Sequence, residues 1–347
     1  MSEYTLSEIK QTDRRANRLM DELLIKEGIQ RDGNLDYSLG LFDEDYKLVA
    51  TGSCFKNTLR CMAVDSSHQG EGLLNQIVTA LMDHQSAIGN HELFLYTKCD
   101  SARFFGDLGF HEITRVDGKV VFMENRRDGF ARYLDSLSAF NSGKEAGAIV
   151  MNANPFTRGH LYLAETAASQ CEQLHIFVVS EDASLVPFEV RYELVRRGTS
   201  HLKNVTLHPS GNYIISSATF PSYFLKDSET VITSHARLDI RIFARIAAAL
   251  GIDRRFVGEE PLSQVTGIYN RVMADELPLS GVQVTVIPRL AEGGSAISAS
   301  TVRSLIKKGD LAAIRPLVPE STYEYFTSPA AAPVIERIRS AGEVIHY

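Results

Sequence analysis

The chain has 347 residues, 44% of them hydrophobic, with 36 lysines and arginines against 43 aspartates and glutamates, a net charge of −7. That length accommodates two domains with sizeable cores, and the acidic balance argues against a nucleic-acid partner while leaving room for local basic pockets. The apolar runs are too short to span a membrane and the start, Met1-Ser2-Glu3-Tyr4, lacks a basic and apolar leader, so a cytoplasmic location without membrane contact is expected.

Four cysteines, Cys54, Cys61, Cys99 and Cys171, stand apart with no Cys-x-x-Cys pair, which predicts reduced, structural thiols. From Met1 to about Ile29 the spacing of Leu19, Leu23 and Leu24 predicts an amphipathic helix with Arg14, Arg15, Arg18 and Lys26 outside. Tyr37–Phe42 and Lys47–Phe55 read as a hairpin around Asp43-Glu44-Asp45, and Thr58–Val64 as a third strand. Gln69-Gly70-Glu71-Gly72 then precedes a helix whose stripe is Leu73, Leu74, Ile77, Val78, Leu81 and Met82. A Gly-rich turn opening on a helix start is a place where backbone N–H groups can face a phosphate.

A strand at Leu93–Thr97 follows, then Ala102 to Phe110, and Val120–Met123 ends the first domain. The expected division is residues 1–125 as one domain, 126–145 as connecting helix and linker with the boundary near Phe140, and 146–347 as the second domain. In the second, Ala148–Met151, a helix over Leu161–Cys171 and His175–Val179 form a βαβ unit. The turn between them, Asn154-Pro155-Phe156-Thr157-Arg158-Gly159-His160, lies at the carboxyl end of a strand, where open α/β sheets bind ligands. Gly159 permits close approach, the first helical N–H groups point outward, and His160 adds a donor that can carry charge. Taken alone, Gly159 is equally a turn residue and His160 a surface histidine.

Further on, a helix is expected over Pro187–Arg197, with Arg191 turned toward a nucleotide or merely solvated. A strand at Val205–Leu207 runs into His208 and Ser210 at the ligand edge. Thr230–Thr233 reads as strand, Ala236–Leu250 as helix, Arg255–Val257 as a strand ending at Gly258, and Val282–Ile287 as the last strand. Such alternation predicts a doubly wound parallel sheet, so the chain as a whole is α/β. Near the end, Gly293-Gly294 leads to Ile297-Ser298-Ala299-Ser300-Thr301-Val302-Arg303, which opens a helix with N-cap residue types and a guanidinium one turn in.

Thr157-Arg158-Gly159-His160 and Ile297-Ser298-x-Ser300-x-x-Arg303 together resemble the paired signatures Thr/His-x-Gly-His and Ile-Ser-x-Ser/Thr-x-x-Arg of the nucleotidyltransferase superfamily, which cleaves ATP between the α- and β-phosphates. Gln69 to Gly72, the strand after it and Leu108-Gly109-Phe110 resemble the GNAT N-acetyltransferase fold and its acyl-CoA pyrophosphate loop. Leu74 departs from that pattern, standing where a small residue is usual. Adding Met151 to Asn154, Tyr213 to Lys226, Gly258-Glu259-Glu260-Pro261, Tyr269-Asn270 and Ile287-Pro288-Arg289, nearly the whole chain is similar to the citrate lyase ligase family.

That resemblance implies an AMP-forming acid–thiol ligase. Acetate and ATP give acetyl-AMP and pyrophosphate, and the acetyl group passes to the thiol of a dephospho-CoA-type prosthetic group on the acyl carrier subunit of citrate lyase. His160, Arg303 and Thr157 are the expected catalytic residues. Asn154, Pro155, Phe156, Arg158, Gly159, Arg191, Gly258, Ser298, Ser300 and Thr301 are expected around ATP and Mg²⁺, with no metal ligand named. Gln69, Gly70 and Gly72 are expected to hold CoA or the prosthetic arm, or else the first domain serves docking alone. Two other classes stay open: an adenylyltransferase for a phosphopantetheine or mononucleotide, and a protein N-acetyltransferase with a nucleotide-sensing domain.

Overall fold

The computed structural model describes residues 4–180, 184–214, 228–259, 264–292 and 295–341. It divides into two compact units, Met1–Arg132 with Thr219–Leu238, and Tyr133–Ala218 with Asp239–Tyr347. Most of the Tyr213 to Lys226 segment, Glu260-Pro261 and Gly293-Gly294 lie outside the described residues.

In the first unit, β1 (Thr5–Glu8), β2 (Tyr37–Phe42), β3 (Leu48–Phe55), β4 (Thr58–Val64), β5 (Phe94–Thr97), β6 (His111–Val116) and β7 (Val120–Glu124) form one sheet in the order β1-β2-β3-β4-β5-β7-β6. Helices cover both faces. On one, α2 (Leu73–Ala87) buries Leu73, Ile77, Val78 and Leu81 against Leu39, Val49 and Leu95; on the other, α1 (Arg14–Lys26) buries Met20, Leu23 and Leu24 against Leu48 and Cys61. A short α3 (Ala102–Asp107) adds Phe105 to the first cluster. The N-terminal stretch corrects the sequence expectation. Thr5–Glu8 pairs with β2, and the helix starts only at Arg14, because the Asp13 side chain accepts from the N–H groups of Arg15 and Ala16 and caps it there.

One feature of this sheet opens a cavity. Its pairings are antiparallel except β4 with β5, which run parallel and pair only at Thr58 with Phe94 and Leu59 with Leu95. Beyond those two pairs the strands part.

After α4 (Gly129–Ser138), the second unit carries β8 (Ala146–Met151), α5 (Arg158–Ala168), β9 (Gln173–Val178), α6 (Phe188–Gly198) and β10 (Val205–Pro209). Next come α7 (Ser228–Leu250), which crosses the division between units, β11 (Ile252–Gly258), α8 (Gln264–Glu276) and β12 (Gln283–Ile287). A small hairpin of β13 (Ala291–Glu292) and β14 (Ser295–Ala296) leads to α9 (Ala299–Lys308), α10 (Glu320–Thr327) and α11 (Ala332–Ser340). The five strands are all parallel, in the order β10-β9-β8-β11-β12. The chain leaves β8 toward β9 on one side and returns to β11 on the other, so the crevice beyond β8 and β11 is the switch point where ligands of such sheets sit. Ala164 and Ala167 of α5 pack with Leu194 and Val195 of α6 against Ile149, Met151 and Ile176. Val302 and Ile306 of α9 pack with Val334 and Ile338 of α11.

Thr230–Thr233, expected as strand, belongs to α7. Four β-branched and hydroxyl residues have strand propensity, but here they open a 23-residue amphipathic helix, and burial of its stripe outweighs a local preference of a few tenths of a kcal/mol per residue.

Candidate active site

The second unit's site is built at two helix starts. Thr157 is the N-cap of α5, and its hydroxyl accepts from His160 N at 3.4 Å. In return Thr157 N donates to Nδ1 of His160 at 3.1 Å, closing a reciprocal capping box in which histidine stands where glutamate or glutamine is usual. This local geometry decides a chemical question. Nδ1 is an acceptor, so the ring proton of the neutral imidazole resides on Nε2, and the Thr157 hydroxyl, 2.8 Å from Nδ1, is a second donor to it.

Desolvation, then the charge of Arg289, lower the pKa of His160 to about 4. The residue is half-buried, and its ring stacks on Phe156 at 5.9 Å. At neutral pH the unliganded site therefore presents a neutral Nε2–H donor.

At the second start, Ser298 caps α9, accepting from Thr301 N at 3.1 Å, with the hydroxyls of Ser300 and Thr301 at 2.9 and 2.8 Å from its own. Arg303, one turn into α9, reaches back, and its Nη1 donates to Asn154 O at 2.6 Å. Desolvation of the half-buried guanidinium lowers its pKa. A Cβ on Gly159 would stand 3.3 Å from Ile297 O, so the first turn of α5 lies directly against the residue preceding the Ser298 cap. Residues 140 positions apart thus form one cradle of hydroxyls, outward N–H groups, an imidazole and a guanidinium. That donor set suits phosphate oxygens. Gly258, at the end of β11, borders the crevice with open space where a Cβ would be.

Other expected ATP contacts have different positions. Phe156 is fully buried, its ring 2.5 Å from where a Cβ on Gly198 would fall, and its carbonyl accepts from Thr322 Oγ1 at 2.9 Å. Pro155, joined to Asn154 by a cis peptide, is also buried. Both shape the loop from below. Asn154 spends its side-chain oxygen on Val186 N at 3.0 Å and offers its carbonyl to Arg303. Arg158 is exposed, with Nε 3.4 Å from Val318 O.

Arg191 is corrected outright. It is fully buried, donating from Nε to Val186 O at 2.9 Å and from Nη1 to Asn152 O, Asn152 Oδ1 and Val179 O at 2.8, 2.9 and 2.7 Å. It is neither solvated nor turned toward a nucleotide. Instead it rivets the exits of β8 and β9 to the loop before α6, and Asn152 extends the rivet through two hydrogen bonds with Ser184.

His208 and Ser210 are corrected as well. Nε2 of His208 lies 2.9 Å from Nδ1 of His175 in the interior, and burial drives both rings to a pKa of about 4. Ser210 Oγ accepts from Ser180 N at 2.8 Å, closing the β9–β10 edge.

Arg289 is a further cation near this crevice, its Nε donating to Glu259 O at 2.8 Å. The signal was available: it is the first charged residue past the carboxyl end of β12, where loops face the crevice.

The first unit holds a separate cavity of about 610 Å³ where β4 and β5 part, lined by Met62, Val64, Tyr96 and Thr97 on the strands and by Gln69, Gly70, Gly72 and Leu74 on the loop and α2. Gly70 and Gly72 have φ of 88° and 73°, and a Cβ on either would meet nothing within 4 Å, so bare backbone faces the opening. Gly72 is the N-cap of α2. Leu74 lines the cavity while packing on the core. The loop's entry is anchored by buried Asp65, which accepts from Lys26 Nζ at 2.7 Å and from Ser67 N at 3.0 Å; these partners hold its carboxyl well below the usual range.

All four cysteines are free; burial pushes the thiols of Cys54 and Cys61 up to about 12. Among the described residues no helix is long and apolar enough to cross a membrane.

A family model for the citrate lyase ligase C-terminal domain matches residues 146–326. The chain is 42% identical over 285 residues to the citrate (pro-3S)-lyase ligase of Klebsiella pneumoniae, spanning 80% of this chain and 83% of that protein. It is 40% identical over 306 residues to the Escherichia coli protein of the same name, spanning 85% and 87%. Among solved structures, an acetyltransferase of the GNAT family from Staphylococcus aureus aligns over 36% of this chain and 100% of its own, at 15% identity and a TM-score of 0.31.

Proposed function

The chain belongs to the citrate lyase ligase family, and from that premise we propose that it activates citrate lyase by acetylation, through an acetyl-adenylate made from ATP and acetate. A carboxylate oxygen of acetate, ionised at neutral pH, attacks the α-phosphorus of ATP; the bond from that phosphorus to the bridging oxygen breaks and pyrophosphate leaves. The thiol of the carrier subunit's prosthetic arm then attacks the acetyl carbon, forming the thioester, expelling AMP and releasing the thiol proton. Neither step asks the chain for a nucleophile. Positioning and charge neutralisation are what it supplies.

The observation that carries this reading is the contact between the two helix starts: Arg303 on Asn154 O at 2.6 Å and Gly159 against Ile297 O. His160 directs Nε2–H to the α-phosphate and the leaving oxygen, Thr157 holds that ring, and Ser298, Ser300, Thr301 and Arg303 take the outer phosphates. Gly159, whose open side is taken by Ile297 O and not by ligand, lets the two helix starts meet, Gly258 opens the crevice, and Arg158 steers phosphate from the rim. Mg²⁺, when bound, neutralises phosphate charge. The cradle's donors fit anions, so the ion would be held by the nucleotide's phosphates and by water.

The cavity between β4 and β5 suits the arm. Gln69, Gly70 and Gly72 would hold its pyrophosphate at the start of α2, and the apolar wall would hold its pantetheine part.

The test is incubation with ATP, labelled acetate and the deacetylated carrier subunit. Label in a hydroxylamine-labile thioester with stoichiometric AMP supports the ligase. A retained dinucleotide means an adenylyltransferase, and acetyl-CoA consumption without pyrophosphate means an N-acetyltransferase; either overturns the proposal.

A further inference from the structure

Arg289 lies two residues past the end of β12. Its Nε donates to Glu259 O at 2.8 Å, just beyond the end of β11, and Glu259 N donates to Ile287 O at 2.9 Å. The exits of two neighbouring strands are thereby stitched together, with Arg289 as the outer stitch. The next residue, Leu290, accepts from Ile297 N at 3.1 Å, which closes the base of the β13–β14 hairpin and brings Arg289 beside the lead-in to α9. Ile297 O in turn lies against Gly159. Two contacts therefore lead from the residue after this half-buried arginine to the point where the starts of α5 and α9 meet.

The charge of Arg289 also adds to desolvation in keeping the His160 ring neutral. A cation set close to a ring whose charged form it disfavours makes sense where an anion comes between them. A triphosphate is such an anion. The guanidinium is planar, its Nε is held by Glu259 O, and its shape is of the kind that matches phosphate oxygens.

We propose that Arg289 is a substrate-binding residue whose guanidinium takes the outer phosphates of ATP, facing His160 and Arg303 across the cradle, with Glu259 O fixing its orientation. The identity of the ligand rests on the function proposed above; the placement of Arg289 does not.

Two variants separate charge from strut. Arg289→Gln removes the charge, whereas Arg289→Lys keeps it and loses the Nε–H bonded to Glu259 O. Calorimetry on the full chain gives the affinity for MgATP and for AMP, and proton NMR gives the titration midpoint of His160 in the free chain. The expected result is a tenfold or greater loss of ATP affinity in Arg289→Gln, AMP affinity within twofold of wild type, a raised His160 midpoint, and recovery of most ATP affinity in Arg289→Lys. Unchanged ATP affinity, an equal loss for ATP and AMP, or a lysine variant as weak as the glutamine one would overturn the proposal, the last by making Arg289 a strut for strand ends. Acetyl-AMP formation by the wild-type chain judges the proposed reaction separately, so a chain that binds ATP and forms none refutes that reaction while the variants still decide Arg289.

Discussion

The capping box at α5 allows the two duties of His160 to be pulled apart. Its Nδ1 accepts from Thr157 N, which leaves the ring proton on Nε2, the atom that the proposed reaction directs at phosphate. His160→Gln and His160→Glu both keep a side-chain oxygen able to accept from Thr157 N, since Gln and Glu are the usual residues at this position of the box. The two are nearly isosteric and differ by one charge. Stability in urea should be within about 0.5 kcal/mol of wild type for both, whereas His160→Ala should lose about 1 kcal/mol with the cap. Acetate-dependent exchange of labelled pyrophosphate into ATP should separate them. Ala forfeits a preorganised donor to developing charge and should fall roughly 100- to 1000-fold. Gln retains an N–H donor and should keep more activity than Ala, while Glu places a negative charge against phosphate and should fall below it. With the pKa of the free ring at about 4, kcat/KM should show no histidine titration near pH 6.5. A limb at that pH, lost in the Gln variant, would mean the ring works as a charged acid and would refute the neutral-donor assignment.

Replacing Arg191 by Met removes donors from four acceptors around its buried guanidinium and should cost roughly 3 to 5 kcal/mol, read by chemical denaturation; a loss under 1 kcal/mol would deny the rivet. The His175–His208 pair should make the fold acid-sensitive. Both rings titrate at about 4 when folded and near 6.5 when unfolded, so the unfolded state binds more protons, and stability is complete above about pH 6.5 and lost as pH falls toward 4. At pH 5 the first ring to protonate accounts for about 2 kcal/mol, and His208→Gln should flatten the slope of stability against pH; an equal slope rejects the attribution. Gly72→Ala has steric room but an unfavourable left-handed backbone, so it should cost about 1 to 2 kcal/mol and weaken dephospho-CoA binding to the full chain, measured by calorimetry; unaltered binding would count against the loop as the arm's site.

The expectations that agree with the structure are those whose cause lies within a few residues. Thr157 caps α5 because its hydroxyl reaches an N–H three residues on, and Ser298 does the same for α9. The β8–α5–β9 unit is a matter of apolar runs and a turn. Arg191 shows the opposite case. At helical spacing it can face solvent, ligand or core, and only the exits of β8 and β9, 39 and 12 residues away, supply the carbonyls that draw it inward. His208 likewise needs His175, 33 residues earlier, as its partner before its burial makes sense. Thr230–Thr233 looked like strand because propensity is local, while the helix it opens is stabilised by what that helix packs against.

The sequence by itself determined the elements, the two capped helix starts and the residue types that could meet a phosphate, because capping, periodicity and turn chemistry act between near neighbours. Only the tertiary structure decided that those starts touch, that the proton of His160 sits on Nε2, and that Arg289 belongs beside them while Arg191 lies beneath. Such choices depend on which distant carbonyl or charge a side chain finds once the sheet order and the helix packing are in place, and nothing in a linear pattern specifies that.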